Sequence, residues 1–497
     1  MRNKNFFIPI LSIVFIITSC ISNDDSSRHS RTDTGEINDF VWKGLNSWYY
    51  WQKDVPALAD NAFSSEADYN NYINSKTPDK LFYNLLYKYQ EVDRYSWIVD
   101  DLDKLLKQFS GISKSSGMNL GFIKTSNLDV IFSVVNYVVP NSPADRAGIK
   151  RGNVILGVNG TPLNTTNYRK LFSDDFKMTY AEKLKEEDGV LSPVGEVKEV
   201  SLQTTVLEEN PIAFVKTYNV GGKKFGYLVY NGFKSNYNDE LNEAFLKLKS
   251  EGVTDLILDL RYNGGGAVSS ALALGQMITG QYTGKPYVTM DYNDKHKREN
   301  KIDKLSEEMP VYEFINGDNK RIGTQRVNSL NLNKIYILTS NGTASASELT
   351  ITGLKPYIDV VTVGAETYGK FVGSITLVDA PENGYVYLPN QGKRYKWAMQ
   401  PIVFSYYNAN RDPHPVKGVL PNYEISSIKY YFGMKEFGDI DSDPAFRKAY
   451  ELITGETLRK REYIYPQIKT EYEQIGTTNT LTPFGTEMYI EGSNLEQ

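Results

Sequence analysis

The chain has 497 residues, 40% of them hydrophobic and 23% charged, with a net charge of −5. That is enough apolar material for several packed domains, and an acidic balance without a basic stripe argues against nucleic acid as a partner. A single cysteine excludes a disulfide framework and thiol chemistry in one step, and three histidines without a His-Glu-x-x-His run or a Cys/His cluster call for no metal or organic cofactor.

The N-terminus reads as a targeting segment. Arg2 and Lys4 precede an apolar run over 6–17, which ends in Ile17, Thr18, Ser19 and Cys20. The run is short for a membrane span and suits a secretory signal over 1–19. Its end resembles a bacterial lipobox, which implies a lipid on Cys20, a membrane partner and an outer-membrane lipoprotein of the cell envelope, facing the periplasm or the outside. Residues 20–35 are Ser/Asp-rich and read as a tether. Within them Asn23, Asp24 and Asp25 resemble the acidic surface signal of Bacteroides-type lipoproteins.

Residues 36–104 are expected to form a small helical domain with its own core, because Phe40, Val41, Leu45, Trp48 and Tyr49 recur at helical spacing and 81–89 repeats the pattern. Over 105–205 short β-rich runs take over. A short helix ending at Gly148, a turn at Gly152, a strand over 154–158 and an Asn159-Gly160 hairpin turn follow one another. This stretch resembles the PDZ domain of bacterial proteases, a module that binds an extended peptide at a sheet edge. The resemblance implies a terminal-carboxylate loop, for which the candidates are Met118, Asn119, Leu120, Gly121 and Phe122. Over 206–435 strands and helices alternate as in an α/β core. Expected strands cover 225–229, 255–260, 334–339 and 360–363, and expected helices 237–250, 267–278 and 344–354. Residues 436–497 read as one helix over 444–453 and a polar tail.

Three segments carry chemistry. After the strand 255–260 come Arg261, Asn263, Gly264, Gly265 and Gly266, then a helix. Glycines there let the backbone approach a ligand and offer N–H groups to an oxyanion. The spacing fits neither Gly-x-Gly-x-x-Gly nor a P-loop. After the strand 334–339 a tight turn leads into Thr343, Ala344, Ser345, Ala346, Ser347 and Glu348, so that a serine sits at the start of a helix, near free backbone N–H groups. After the strand 360–363 a turn of Thr367, Tyr368 and Gly369 ends in Lys370, 25 positions beyond Ser345.

Together the three segments and the PDZ-like run resemble the C-terminal processing, or tail-specific, peptidases, serine–lysine enzymes with a PDZ domain. The resemblance spans roughly 105–425 and closes at Gly418, Val419 and Pro421. It implies a multidomain α/β protein: a small helical N-terminal domain, a β-rich PDZ-like domain and a protease core of the ClpP/crotonase-like kind. It also implies a serine endopeptidase acting on unfolded or C-terminally presented protein or peptide substrates. Ser345 would be the nucleophile, Lys370 the general base, and the backbone N–H groups of Gly264, Gly265, Gly266 and Ala346 the oxyanion donors. Three positions depart from the pattern: Ser374 stands where many members carry glutamine, Pro356 where some carry aspartate, and Asn422 where aspartate often follows the closing motif. The departures also fit an inactive lipid-anchored peptide-binding scaffold. The histidines offer a single rival base, His414 between two prolines, since His29 lies in the tether and His296 in a charged loop expected to be solvated.

Overall fold

A computed structural model describes residues 34–492 except 126–128, 188–189, 390–395, 414, 426–431, 459–471 and 483. Cys20, His29 and His414 therefore lie outside the described residues. No helix among the described residues is long and apolar enough to cross a membrane.

The α/β core is built on a sheet in the order Ile212–Val220, Lys223–Tyr230, Asp255–Asp259, Lys334–Thr339, Asp359–Gly364 and Tyr423–Glu424, parallel after its first antiparallel pair. Its inner strands read as unbroken apolar runs because both faces are covered. Alternation sorts the side chains. Leu228, Tyr230, Leu256, Leu258, Ile335 and Ile337 face the helices Asn238–Ser250, Val268–Ile278 and Ala346–Leu354. Tyr227, Val229, Ile257, Tyr336 and Leu338 face Ala445, Phe446, Ala449 and Tyr450 of the helix Pro444–Thr454. A second sheet lies beside the first, in the order Gly266–Ala267, Met488–Ile490, Val372–Ile375, Ile402–Tyr407, Pro286–Tyr292 and Lys301–Lys304.

The helical N-terminal region differs from the sequence expectation in one respect. The helix Thr34–Trp48 forms, but Phe40, Val41, Leu45 and Trp48 join the apolar cluster of the α/β core instead of closing a core of their own. Gly44 lies close against that core, since a Cβ there would meet the Met399 side chain at 2.7 Å. The charged run at 295–298 also departs from expectation. His296 stacks on Trp48 with ring centroids 3.5 Å apart and shares a hydrogen bond with the Ser47 hydroxyl, so it is a packing residue.

The PDZ-like domain follows the sequence reading closely. Gly148 and Gly152 have φ of +76° and +84°, and Asn159 and Gly160 sit at +50° and +77°, the left-handed pair that a two-residue hairpin turn demands. Its sheet runs Lys198–Gln203, Asp175–Ala181, Val154–Val158, Ile131–Val138, Met118–Thr125, Tyr472–Thr477. Two corrections arise here. Met118, Asn119, Leu120, Gly121 and Phe122 are not a loop but the first half of the strand Met118–Thr125, because alternate residues Met118, Leu120 and Phe122 bury into the domain core. The 436–497 region is not a helix with a free polar tail, since its last stretch supplies one strand to each of two sheets.

Arg151 ties the PDZ-like domain to the core. It donates to the Tyr262 hydroxyl at 2.7 Å, reaches Asp443 at 3.4 Å and stacks over Phe437. Asp443, at the N-cap of the Pro444–Thr454 helix, also takes both ends of the Arg261 guanidinium, which in turn grips Asp259. Burial would push the Asp443 carboxyl up, but the charges and hydrogen bonds of Arg261, with Arg151 behind them, hold it below the usual carboxylate value.

Candidate active site

Ser345 occupies the turn between the strand Lys334–Thr339 and the helix Ala346–Leu354 and is fully buried, with φ of +58°. A non-glycine residue holds such a conformation only where its surroundings over-determine it. Here they do. Thr343 Oγ1 donates to the Leu260 carbonyl at 2.8 Å, Ser347 Oγ to the Asn263 carbonyl at 2.9 Å, and the Ala344 N–H to the same carbonyl. The serine turn is thus laid on the glycine turn. Gly265, at φ +113°, lies so close that a Cβ on it would meet Ser345 Cβ at 2.7 Å.

Lys370 comes from the turn after Asp359–Gly364, and its side chain is also fully buried. Gly369, at φ +87°, packs on the 416–418 backbone, while Thr367 and Val419 exchange hydrogen bonds, so the closing Gly418-Val419 motif braces the lysine turn. Glu348 joins the two halves. One of its carboxylate oxygens accepts the backbone N–H of Ser345 and that of Lys370, both at 2.9 Å. The other accepts the Gly369 N–H at 2.7 Å and the Thr367 hydroxyl. Burial pushes the Glu348 carboxyl up to about 7 against these four donors, which favour the ionised form.

The side chains of Ser345 and Lys370 find their partners in the 486–487 pair. Ser345 Oγ donates to the Thr486 carbonyl at 3.0 Å, and Lys370 Nζ pairs with the Glu487 carboxylate at 3.2 Å. The Gly266 N–H donates to the Glu487 carbonyl at 2.6 Å. Gly265's N–H is taken by the Asn263 side chain at 2.9 Å, so within the glycine turn Gly266 is the residue seen holding a peptide carbonyl. Ala346 opens the helix, where N–H groups lack intrahelical acceptors.

The serine, lysine and glycine turns thus lie together, with the Ser345 and Lys370 backbones on one Glu348 oxygen and the Gly266 N–H on a peptide carbonyl. The chain matches the model of peptidase family S41 over 224–425, the S41 N-terminal domain over 36–97 and a PDZ domain over 134–175. The chain belongs to peptidase family S41. A crystal structure from Bacteroides fragilis assigned to the S41 proteases is similar to it at 25% identity and a TM-score of 0.64, covering 84% of this chain and 98% of that one. A Staphylococcus aureus protein named as a CtpA-like serine protease is 24% identical over 372 residues, 74% of this S41 chain and 63% of the relative. A Staphylococcus epidermidis protein of the same name is 24% identical over 58% of this chain and 50% of its own. The chain thus spans less than two thirds of the length of these curated relatives.

Sequence reasoning missed several residues that surround the Ser345 and Lys370 side chains. Glu487 receives, besides Lys370, the Trp97 indole N–H at 2.7 Å and the Ser374 hydroxyl at 3.1 Å. Gln400 donates to Ser374 at 3.1 Å, so an amide side chain from the strand Ala398–Gln400 reaches the position where many relatives carry glutamine four residues after the lysine. Asn422, another of the three departures, accepts from the Thr362 N–H and hydroxyl and holds two strands together. Only Glu348 had a signal in the sequence, its place three residues after a serine N-cap, and that reads as capping.

Proposed function

We propose that this chain is a serine endopeptidase in which Ser345 is the nucleophile and Lys370 the general base. The observation that carries the reading is the single Glu348 oxygen holding the backbones of both residues, beside a Gly266 N–H already bonded to a peptide carbonyl. A substrate carbonyl takes the place on Gly266, Ser345 Oγ attacks its carbon and Lys370 takes the hydroxyl proton. Lys370 then gives that proton to the leaving amine, and water releases the acyl group by the same steps in reverse. Removal of either side chain is expected to lower cleavage of an unfolded protein by at least about 10³-fold with the fold retained. His414→Ala should leave most activity. Near-normal turnover of Lys370→Ala would refute the dyad.

The substrate reading is that the edge of Met118–Thr125 receives a protein's free C-terminus as an added strand. The PDZ match and the Leu120-Gly121-Phe122 run support it. For location, the 1–20 sequence supports a lipid on Cys20 and an outer-membrane lipoprotein, because a signal-like run ends there in a lipobox-like sequence. Cys20→Ser should move the protein from the membrane fraction to the soluble one. A variant that stays membrane-bound argues against lipidation.

A further inference from the structure

Residues 472–490 touch, in one pass, each surface that a substrate peptide needs. Tyr472–Thr477 lies antiparallel on Met118–Thr125, with Thr477 opposite Gly121 and Gly476 opposite Phe122. This is the direction in which an added peptide runs toward the start of that strand. Ile475 and Leu481 pack against the domain core that holds Phe122, Tyr168 and Leu171. The chain then exchanges hydrogen bonds between Thr478 and Leu120, and the Asn479 amide donates to the Tyr262 carbonyl at 2.7 Å. Gly485 lies so tightly on Gly264 that a Cβ there would fall 1.7 Å from its carbonyl oxygen. Thr486 and Glu487 occupy the reaction centre, and Met488–Ile490 enters as a parallel strand between Gly266–Ala267 and Val372–Ile375.

The chemistry of this occupancy is that of a blocked site. The Ser345 hydroxyl proton, which must pass to a base, is donated to the Thr486 carbonyl. Lys370, which must present a neutral amine to act as a base, is held in an ion pair by the Glu487 carboxylate, and Trp97 and Ser374 hold that carboxylate in place. The one N–H of the glycine turn seen to hold a carbonyl holds Glu487's. Glu487 is 3% exposed and Thr486 8%, so both are enclosed at the reaction centre.

We infer that residues 472–490 are an intramolecular peptide ligand that fills the PDZ edge and the catalytic groove together, and that a substrate reaches Ser345 only after this segment leaves. The inference rests on the peptidase reading for its consequence but not for the occupancy itself. Two substitutions in the full-length chain test it. Glu487→Gln removes the negative charge that pairs with Lys370. Gly485→Ala puts a Cβ 1.8 Å from the Asn479 carbonyl, which lifts the turn leading into the groove. Both should raise the rate at which a fluorophosphonate phosphonylates Ser345 with loss of fluoride, and the rate of unfolded-protein cleavage, by about tenfold or more, as expected when the competent state grows from a minor to a major population. Occupancy is read separately, without catalysis, in the Ser345→Ala background. A fluorescent synthetic peptide with the 472–491 sequence should bind the Gly485→Ala form at least about tenfold more tightly than the parent, because the intramolecular copy no longer competes. Equal peptide affinity in the two proteins, or labelling of the parent as fast as of both variants, would overturn the inference. If peptide affinity responds while no form cleaves or labels, the segment is a ligand of the groove and the peptidase reading is the one that fails.

Discussion

The four donors on the Glu348 carboxylate come from two separate stretches of chain: the serine turn, and the lysine turn with its Thr367 hydroxyl and the N–H groups of Gly369 and Lys370. An acceptor-only group is what such a convergence needs. Glu348→Gln turns one oxygen into an NH₂ that faces an N–H or a hydroxyl, and each buried donor left without an acceptor costs about 1–3 kcal/mol. The expected result is a kcat lower by roughly 10- to 100-fold with KM little changed, since the residue sets the relative position of Ser345 and Lys370 and does not touch substrate. The pH dependence has a definite sign. Burial raises this carboxyl from 4.5 to about 7, so the folded protein holds its proton over a window in which the unfolded chain has lost it. Its contribution to stability therefore falls as pH rises from about 4.5 to about 7, while the ionised form that accepts all four donors gains population over the upper part of that window. Denaturant titrations at several pH values should show a shallower loss of stability in Glu348→Gln over that window, and the wild-type rate should show an acid limb near 7 that the variant lacks. His296 gives the contrasting case. Its stacking on Trp48 makes His296→Ala a stability variant, with thermal midpoint lowered and kcat per folded molecule unchanged.

Among elements, the strand Asp255–Asp259 and the helix Pro444–Thr454 are coupled through one guanidinium. Arg261 leaves the end of the strand and binds Asp259 and the N-cap Asp443 with both faces of its fork, at distances of 2.6–2.9 Å. All three side chains are buried. Asp443→Ala strands two arginines without their partner and removes the cap, and breaking one side of a buried pair costs about 3–5 kcal/mol. Chemical denaturation should show a loss of that size. The parent should also lose this pair's contribution as pH falls through and below the ordinary Asp range, because the folded carboxyl is held below the usual carboxylate value. A carboxylate that titrated normally in the folded protein would contradict the coupling. The same network explains the Asp-Leu-Arg-x-Asn pattern: Asp259 and Arg261 clamp the helix, and Asn263 offers its carbonyl to the serine turn and its amide to the Tyr230 carbonyl.

At the scale of the whole molecule, the PDZ-like domain and the core are joined by Arg151 and by the 472–490 segment. Arg151→Ala removes the bonds to Tyr262 and Asp443 and the stack on Phe437. The expected outcome is a calorimetric transition that separates into two, with the PDZ-like domain melting first, because the remaining joints are mainly strand edges. A single unshifted transition would mean that the strand edges alone hold the domains together. The proposed substrate path gives a second expectation. Against the Ser345→Ala, Gly485→Ala protein, peptides that differ only in a free or an amidated C-terminus should differ in affinity by about tenfold or more, since carboxylate capture by backbone N–H groups is a charge-assisted interaction. Equal affinities would remove carboxylate capture and leave the Ser345–Lys370 chemistry standing.

The elements of the core were readable from local pattern. Apolar runs over 255–260 and 334–339 predicted buried strands, and Asn159-Gly160 predicted its hairpin. Each of those signals lies within a few residues of the structure it specifies. Ser345 and Lys370 were singled out by a family resemblance whose 25-position spacing chain order preserves. The remainder of the site had no such signal. Glu487 meets Lys370 across 117 positions and Trp97 across 390, while Tyr472–Thr477 is too polar and Met488–Ile490 too short to announce itself as a strand. They become strands because two sheets present unpaired edges to them, and an edge is a property of the folded molecule. The tertiary structure likewise decided that the N-terminal helix packs into the protease core, since an amphipathic helix states that one face will be buried but not against which partner.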